Sequence, residues 1–166
     1  MIHRPDPQWG SHIPMLIKTV LESEGSVLEL GMGISSTPLL HALCADQGKF
    51  LLSLDDEEHF VNLFRKYKND WHDIRLIKDW SELTQSKWGV VLVDHKPDFR
   101  RAIEAVKFFD SEFVVLHDTE PENEHLYGYE KVYPHFKHRF DYKKSKVHTT
   151  VLSNIHDLHF LHNSVN

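Results

Sequence analysis

Five short apolar runs recur along this chain, at residues 27–30, 50–54, 74–77, 90–93 and 113–116, each of strand length and each set off from the next by a polar stretch. Nothing else in the sequence restricts the fold as much. A run such as Val90-Val91-Leu92-Val93 is apolar at every position, so the sheet it enters must be covered on both faces. The intervening segments carry helical period. Phe99, Ala102, Ile103, Val106 and Phe109 fall on one stripe, and Ile13, Leu16, Ile17, Val20 and Leu21 make one face of a leading helix, with Ser11 placed to cap it and Pro14 in its first turn. Strands alternating with amphipathic helices predict a doubly wound, mostly parallel α/β sheet with right-handed crossovers. After the fifth run the rhythm changes: residues 138–145 and 147–153 lie too close for a crossover helix and predict an antiparallel hairpin that closes a seven-stranded sheet.

With 40% hydrophobic and 27% charged residues in 166, the chain has core material for one domain and falls outside the disordered and collagen-like classes. No repeat or linker divides it, so residues 1–166 read as a single domain. A net charge of −6 argues against nucleic acid and anionic membranes as partners. Residues 1–7 lack the apolar run of a signal peptide, and no stretch approaches the roughly 18 apolar residues of a spanning helix. With a single cysteine, Cys44, these features predict a soluble, cytoplasmic protein without an internal disulfide. Cys44 shares an apolar helix face with Leu40 and Leu43, so its role is packing. The histidine-rich tail at residues 156–162 has no cysteine and reads as a solvated segment pinned by Leu158, Phe160 and Leu161, with no structural zinc.

In doubly wound sheets ligands sit at the carboxyl ends of the strands, so the residues that end each run carry the function. The first end is Glu29-Leu30-Gly31-Met32-Gly33-Ile34-Ser35-Ser36-Thr37-Pro38. Its glycines allow a sharp turn, Ser36 or Thr37 can cap a helix beginning at Pro38, and the helix start favours an anionic group such as a carboxylate. Two glycines alone also fit a plain structural turn. The second strand ends in Asp55-Asp56, where an acidic side chain can accept both hydroxyls of a ribose; Asp55 suits that role, and Asp56 suits a helix cap or an adenine-side contact. Asp79-Trp80 follows the third strand, where the indole fits either ordinary packing or a purine face. Asp94 and His117-Asp118 end neighbouring strands and should face one cleft. Two carboxylates there can hold a divalent cation, or one can orient a histidine base, while His95 reads as solvated.

Taken together, Glu29-x-Gly31-x-Gly33, Asp55, Asp79, Asp94 and the final hairpin resemble the class I S-adenosylmethionine-dependent methyltransferases, over roughly residues 11–153. Val93-Asp94 with Arg100-Arg101 downstream, and Leu116-His117-Asp118-Thr119, look like small-molecule O-methyltransferases in particular. The resemblance implies a Rossmann-like methyltransferase fold and S-adenosylmethionine as cofactor. It implies that Glu29 lies near the cofactor's ammonium, that Gly31, Met32 and Gly33 pass beneath its methionine part with Thr37 at its carboxylate, that Asp55 binds the ribose, and that Asp56, Asp79 and Trp80 lie about the adenine. It further implies in-line methyl transfer to an oxygen of a small-molecule acceptor, with Asp94, His117 and Asp118 catalytic and Mg2+ at Asp94 and Asp118 as one alternative. The acceptor site would be built from the N-terminal segment, the loop at residues 119–130 and the second subunit of a homodimer. The third glycine that many members carry near Ser35 is missing here. Two other readings remain: a non-catalytic module of this fold that binds a nucleoside or, through its basic hairpin, a partner; and an NAD-binding Rossmann oxidoreductase, which needs a third glycine where this chain has Ser36.

Overall fold

The computed structural model describes residues 7–162. Residues 1–6, read above as lacking a signal peptide, lie outside the described residues. Five parallel strands, β1 (Val27–Leu30), β2 (Leu51–Asp55), β3 (His72–Leu76), β4 (Val90–Val93) and β5 (Phe113–His117), are completed by the antiparallel β6 (His138–Tyr142) and β7 (Thr149–Ser153). The order across the sheet is β3-β2-β1-β4-β5-β7-β6. This is the seven-stranded, doubly wound sheet with a terminal hairpin that the sequence predicts. The order reverses between β1 and β4, so their carboxyl ends open the crevice in which such sheets bind ligands.

The central strands are buried at every position on both faces, as continuous apolar runs require. On one face α1 (Ile13–Glu22) and α2 (Ser36–Gln47) bring Met15, Leu16, Val20, Leu40 and Cys44 against Val27, Leu51, Val90, Leu92 and Val115. The short α6 (His159–His162) joins this face through Leu158 and Leu161. On the other face Ala102, Ala105 and Phe108, with Tyr129 and Val132, cover Leu28, Leu30, Val91, Val93, Val114 and Leu116.

Three local expectations are overturned. Of the stripe Phe99, Ala102, Ile103, Val106 and Phe109, only Ala102 and Val106 pack against the core; Phe99, Ile103 and Phe109 are exposed, because α4 (Arg101–Val106) turns the side of Arg101, Ala102, Glu104 and Ala105 inward. Arg101 reaches the half-buried carboxylates of Asp94 and Asp118, and Glu104 meets Arg100 and Lys107; these charge pairings take up part of the inward face of a six-residue helix. The connection between β3 and β4 contains only a single 3-10 turn, Trp80–Glu82, where a crossover helix is expected. Ser11 makes no cap for α1, whose first flanking residue is His12. No helix among the described residues is long and apolar enough to cross a membrane.

Candidate functional site at the carboxyl ends of β1, β4 and β5

The glycine loop is held from below by side chains of the two strands that flank it. Gly31 has φ +90°, and a Cβ there would lie 2.6 Å from the backbone of Asp94 and His95, so only glycine passes beneath the exit of β4. Asp55 accepts the backbone N–H of Met32 at 2.7 Å and that of Glu57 at 2.8 Å. It therefore clamps the loop and closes the turn that leads into α3 (Glu58–Phe64), whose flanking residue Glu57 has no side-chain cap, while Asp56, read as a cap or an adenine-side contact, is exposed. Burial pushes the Asp55 carboxyl up to about 6.

Glu29 is fully buried, and its carboxylate accepts the hydroxyls of Thr37 (2.9 Å) and Ser53 (2.5 Å). Thr37 in turn accepts the N–H of Gly33 at 3.1 Å, which ties the loop to the carboxylate beneath it. Ser53 also meets His72 Nε2 at 3.0 Å, and His72 Nδ1 meets His41 Nδ1 at 3.0 Å. No cation enters this chain of contacts. Burial accordingly raises the Glu29 carboxyl to about 7 against the hydroxyl hydrogen bonds that favour its charged form. Ser35, which precedes α2, makes no side-chain cap, and Ser35 and Ser36 line the adjoining pocket. The amino end of α2 is thereby presented to whatever occupies it.

The floor of the site comes from β4 and β5. Their parallel register pairs Val93 with Leu116, so Asp94 and His117 emerge side by side. His117 Nδ1 lies 3.1 Å from Asp94 Oδ1 and 3.5 Å from Asp118 Oδ2, and its Nε2 meets Ser11 Oγ at 2.9 Å. Arg101, nearly fully buried, pairs with Asp94 at 3.0 Å and Asp118 at 2.8 Å and donates to the carbonyls of Asp94 and His95. Tyr127 donates to Asp118 at 3.2 Å, and Tyr129 donates to the His117 carbonyl at 3.0 Å. Asp118 holds φ +57°, a left-handed conformation that Asp tolerates better than most side chains.

Charges in this floor shift one another. Burial would raise the Asp94 carboxyl, but His117 and Arg101 reverse that and hold it near 2. Burial would lower His117, but Asp94 and Asp118 outweigh it and raise it above the usual histidine value. His12 is 2% exposed, lies edge-on to His117 with ring centroids 4.7 Å apart, and finds no partner for either ring nitrogen. Burial, with His117 nearby, lowers it to about 4, so it is neutral at physiological pH.

These groups line a pocket of about 410 Å³, walled by Met32 to Ser36 and Phe60, with Asp94, His117 and Asp118 below and Trp9 and Val147 at its sides. That volume lies in the range of small-molecule sites. No family model and no curated protein matches the sequence. Solved structures do match. The ribosomal protein L11 methylase of Lactobacillus delbrueckii subsp. bulgaricus is 13% identical with a TM-score of 0.61, over 94% of this chain and 91% of that one. An S-adenosylmethionine-dependent O-methyltransferase of Thermotoga maritima is 8% identical with a TM-score of 0.60, over 94% and 68%. A spermidine synthase in complex with a transition-state analogue is 14% identical with a TM-score of 0.64, over 90% and 60%. The chain has the class I S-adenosylmethionine-dependent methyltransferase fold.

Within this methyltransferase fold the residues singled out by sequence divide into two groups. Met32, Gly33, Asp94, His117 and Asp118 line the pocket. Glu29, Thr37 and Asp55 lie behind the loop with their polar atoms engaged in holding it, and Gly31 lies beneath β4. Asp56 and Asp79 are at the surface, where Asp79 accepts the N–H of Ser81 at 2.8 Å. Trp80 is buried and stacks on His95, centroids 4.1 Å apart, so neither ring has the solvated or purine-facing position read from sequence. The place the sequence gives to magnesium, between Asp94 and Asp118, is bridged by the Arg101 guanidinium. Arg101, which sequence reading noted only as part of the Arg100-Arg101 pair, and His12, which it gave no role, both belong to this candidate site. The signal for Arg101 was the Arg pair following Asp94, since a buried guanidinium needs carboxylates; the signal for His12 was only its place beside a helix start.

Proposed function

We propose that this protein is an S-adenosylmethionine-dependent methyltransferase acting on a hydroxyl of a small, largely apolar molecule. The observation that carries the reading is the pocket itself: one cavity joins the amino end of α2, where a carboxylate is favoured, to the polar floor of Asp94, His117 and Asp118. The cofactor's methionine part would lie along Met32 to Ser36, with its carboxylate at the start of α2. Asp55 keeps lone pairs beyond its two backbone contacts for the ribose. Phe60, on the pocket wall, offers the ring face for the adenine that Trp80 withholds. S-adenosylmethionine supplies an electrophilic methyl group when bound.

The residues of this chain position the acceptor and receive its proton. The pair His117 and Asp94 lies on the pocket floor, and Arg101 fixes both of its neighbouring carboxylates. Trp9 and Ile34, 59% and 52% exposed at the pocket, form an apolar mouth suited to an aromatic or aliphatic alcohol. The modest cavity and net charge of −6 favour such a molecule over nucleic acid. Because a spermidine synthase has the same fold, the fold by itself does not fix the group transferred.

Titration calorimetry with S-adenosylmethionine, S-adenosylhomocysteine and NAD tests the reading. Binding of the adenosyl ligands, no heat from NAD, and release of S-adenosylhomocysteine with small hydroxylated aromatics are expected. Binding of NAD alone would overturn it, and adenosyl binding without turnover over a panel of acceptors would leave the non-catalytic module.

A further inference from the structure

We propose that His12, Asp94 and His117 form a binding site for one borderline first-row divalent cation of the Zn2+ or Co2+ class, facing the pocket. Each comes from a different rigid element: His12 from the start of α1, Asp94 from the end of β4, His117 from the end of β5. One ligand atom from each lies within 4.8 Å of the others, and this is the one such group among the described residues.

Three features favour a cation over a purely structural role. First, both ring nitrogens of His12 are buried without a hydrogen-bond partner, a state that disfavours the fold unless something else meets them. A buried histidine aimed at a carboxylate and a second histidine is the arrangement a metal ion satisfies. Second, the contacts of Asp94 fall on Oδ1, and Oδ2 takes no hydrogen bond among the described residues. Third, His117 Nε2 faces Ser11 Oγ at 2.9 Å; as an N–H it donates to that hydroxyl, so that when Nδ1 gives up the proton it shares with Asp94 its lone pair points toward that carboxylate. Fixing the tautomer through the far nitrogen is how proteins orient a metal-bound histidine.

The ion would replace the proton that otherwise lies between His117 Nδ1 and Asp94 Oδ1, 3.1 Å apart, a separation compatible with two ligands on one ion. Two imidazoles and one carboxylate select zinc-like ions over Mg2+, which prefers an all-oxygen shell. Three protein ligands leave positions open to the pocket, the arrangement of a reactive rather than a structural site.

The test is direct metal binding to chelator-treated full-length protein, with Co2+ as the probe followed by its visible absorption and Zn2+ by competition. One equivalent of Co2+ is expected, displaced by Zn2+ and not by Mg2+. It should survive the double variant His159→Ala/His162→Ala, which removes an exposed histidine pair. It should weaken about 100-fold or more in His12→Ala and about 10-fold in Ser11→Ala, where only the orienting hydroxyl is lost. His12→Gln, with circular dichroism to check the fold, replaces His12→Ala if that variant does not fold. Absence of stoichiometric Co2+ binding, unchanged binding in the folded His12 variant, or binding that follows the tail histidines instead would overturn the proposal. These outcomes are read without cofactor, so they are separate from the fate of the methyltransferase reading.

Discussion

Glu29, on β1, and Asp94, just past the end of the neighbouring β4, are both acidic, yet their proton affinities move in opposite directions. Glu29 meets only hydroxyls and is pushed up to about 7; Asp94 meets Arg101 and His117 and is held near 2. Burial disfavours the charge of both. The difference lies in the partner: a hydroxyl donates one hydrogen bond, whereas the His117 imidazolium and, after it, the Arg101 guanidinium add full opposite charges in a medium that screens them weakly. The loop side of the site is thus a neutral-tending hydrogen-bonded support, and the β4–β5 side an ionised floor.

The largest test of that contrast is Arg101→Met. It leaves two carboxylates without their cation and should cost about 3–5 kcal/mol in urea unfolding; a cost below about 1 kcal/mol would mean that His117 alone holds the floor. Next is Asp94→Asn, which keeps size but removes charge. Release of S-adenosylhomocysteine should fall about 100-fold or more while cofactor affinity stays within about threefold. Asp94 is depressed on folding, so its contribution to stability is present above about 3.8 and lost as pH falls through about 2; that acid limb should be absent in the variant.

Glu29→Gln probes the other side with the opposite sign. The folded state holds the Glu29 proton more tightly than the unfolded chain, so this group lowers stability as pH rises from about 4.5 to about 7. The Gln variant should lack that decline and gain about 1–3 kcal/mol at about pH 8. A loss there would show the carboxylate to be needed in its charged form. The smallest effect belongs to Asp79→Ala, outside both networks: calorimetry should find cofactor affinity unchanged, and a tenfold drop would restore Asp79 to the adenine side.

The expected absence of change at Asp79 marks where sequence reading stops. The apolar runs at residues 27–30, 90–93 and 113–116 were legible because burial on both faces leaves a strand no polar position to spare. The grouping of Asp94 with His117 and Asp118 was legible too, since residues that end adjacent parallel strands must emerge together. Trp80 was not, because an indole near a strand end is equally at home in the core, and only the bare connection between β3 and β4 let it turn inward onto His95.

By itself the sequence determined the architecture and the end of the sheet at which the site lies, since hydrophobic period and strand ends are local properties that a single chain displays. The tertiary structure decided which polar groups meet: Arg101 with Asp94 and Asp118, Asp55 with the N–H of Met32, Ser11 and His12 with His117. Those pairings span from 7 to 106 positions in the chain. They are set by the register of β1, β4 and β5 and the docking of α1 and α4, and electrostatic partners of that kind leave no period in a sequence.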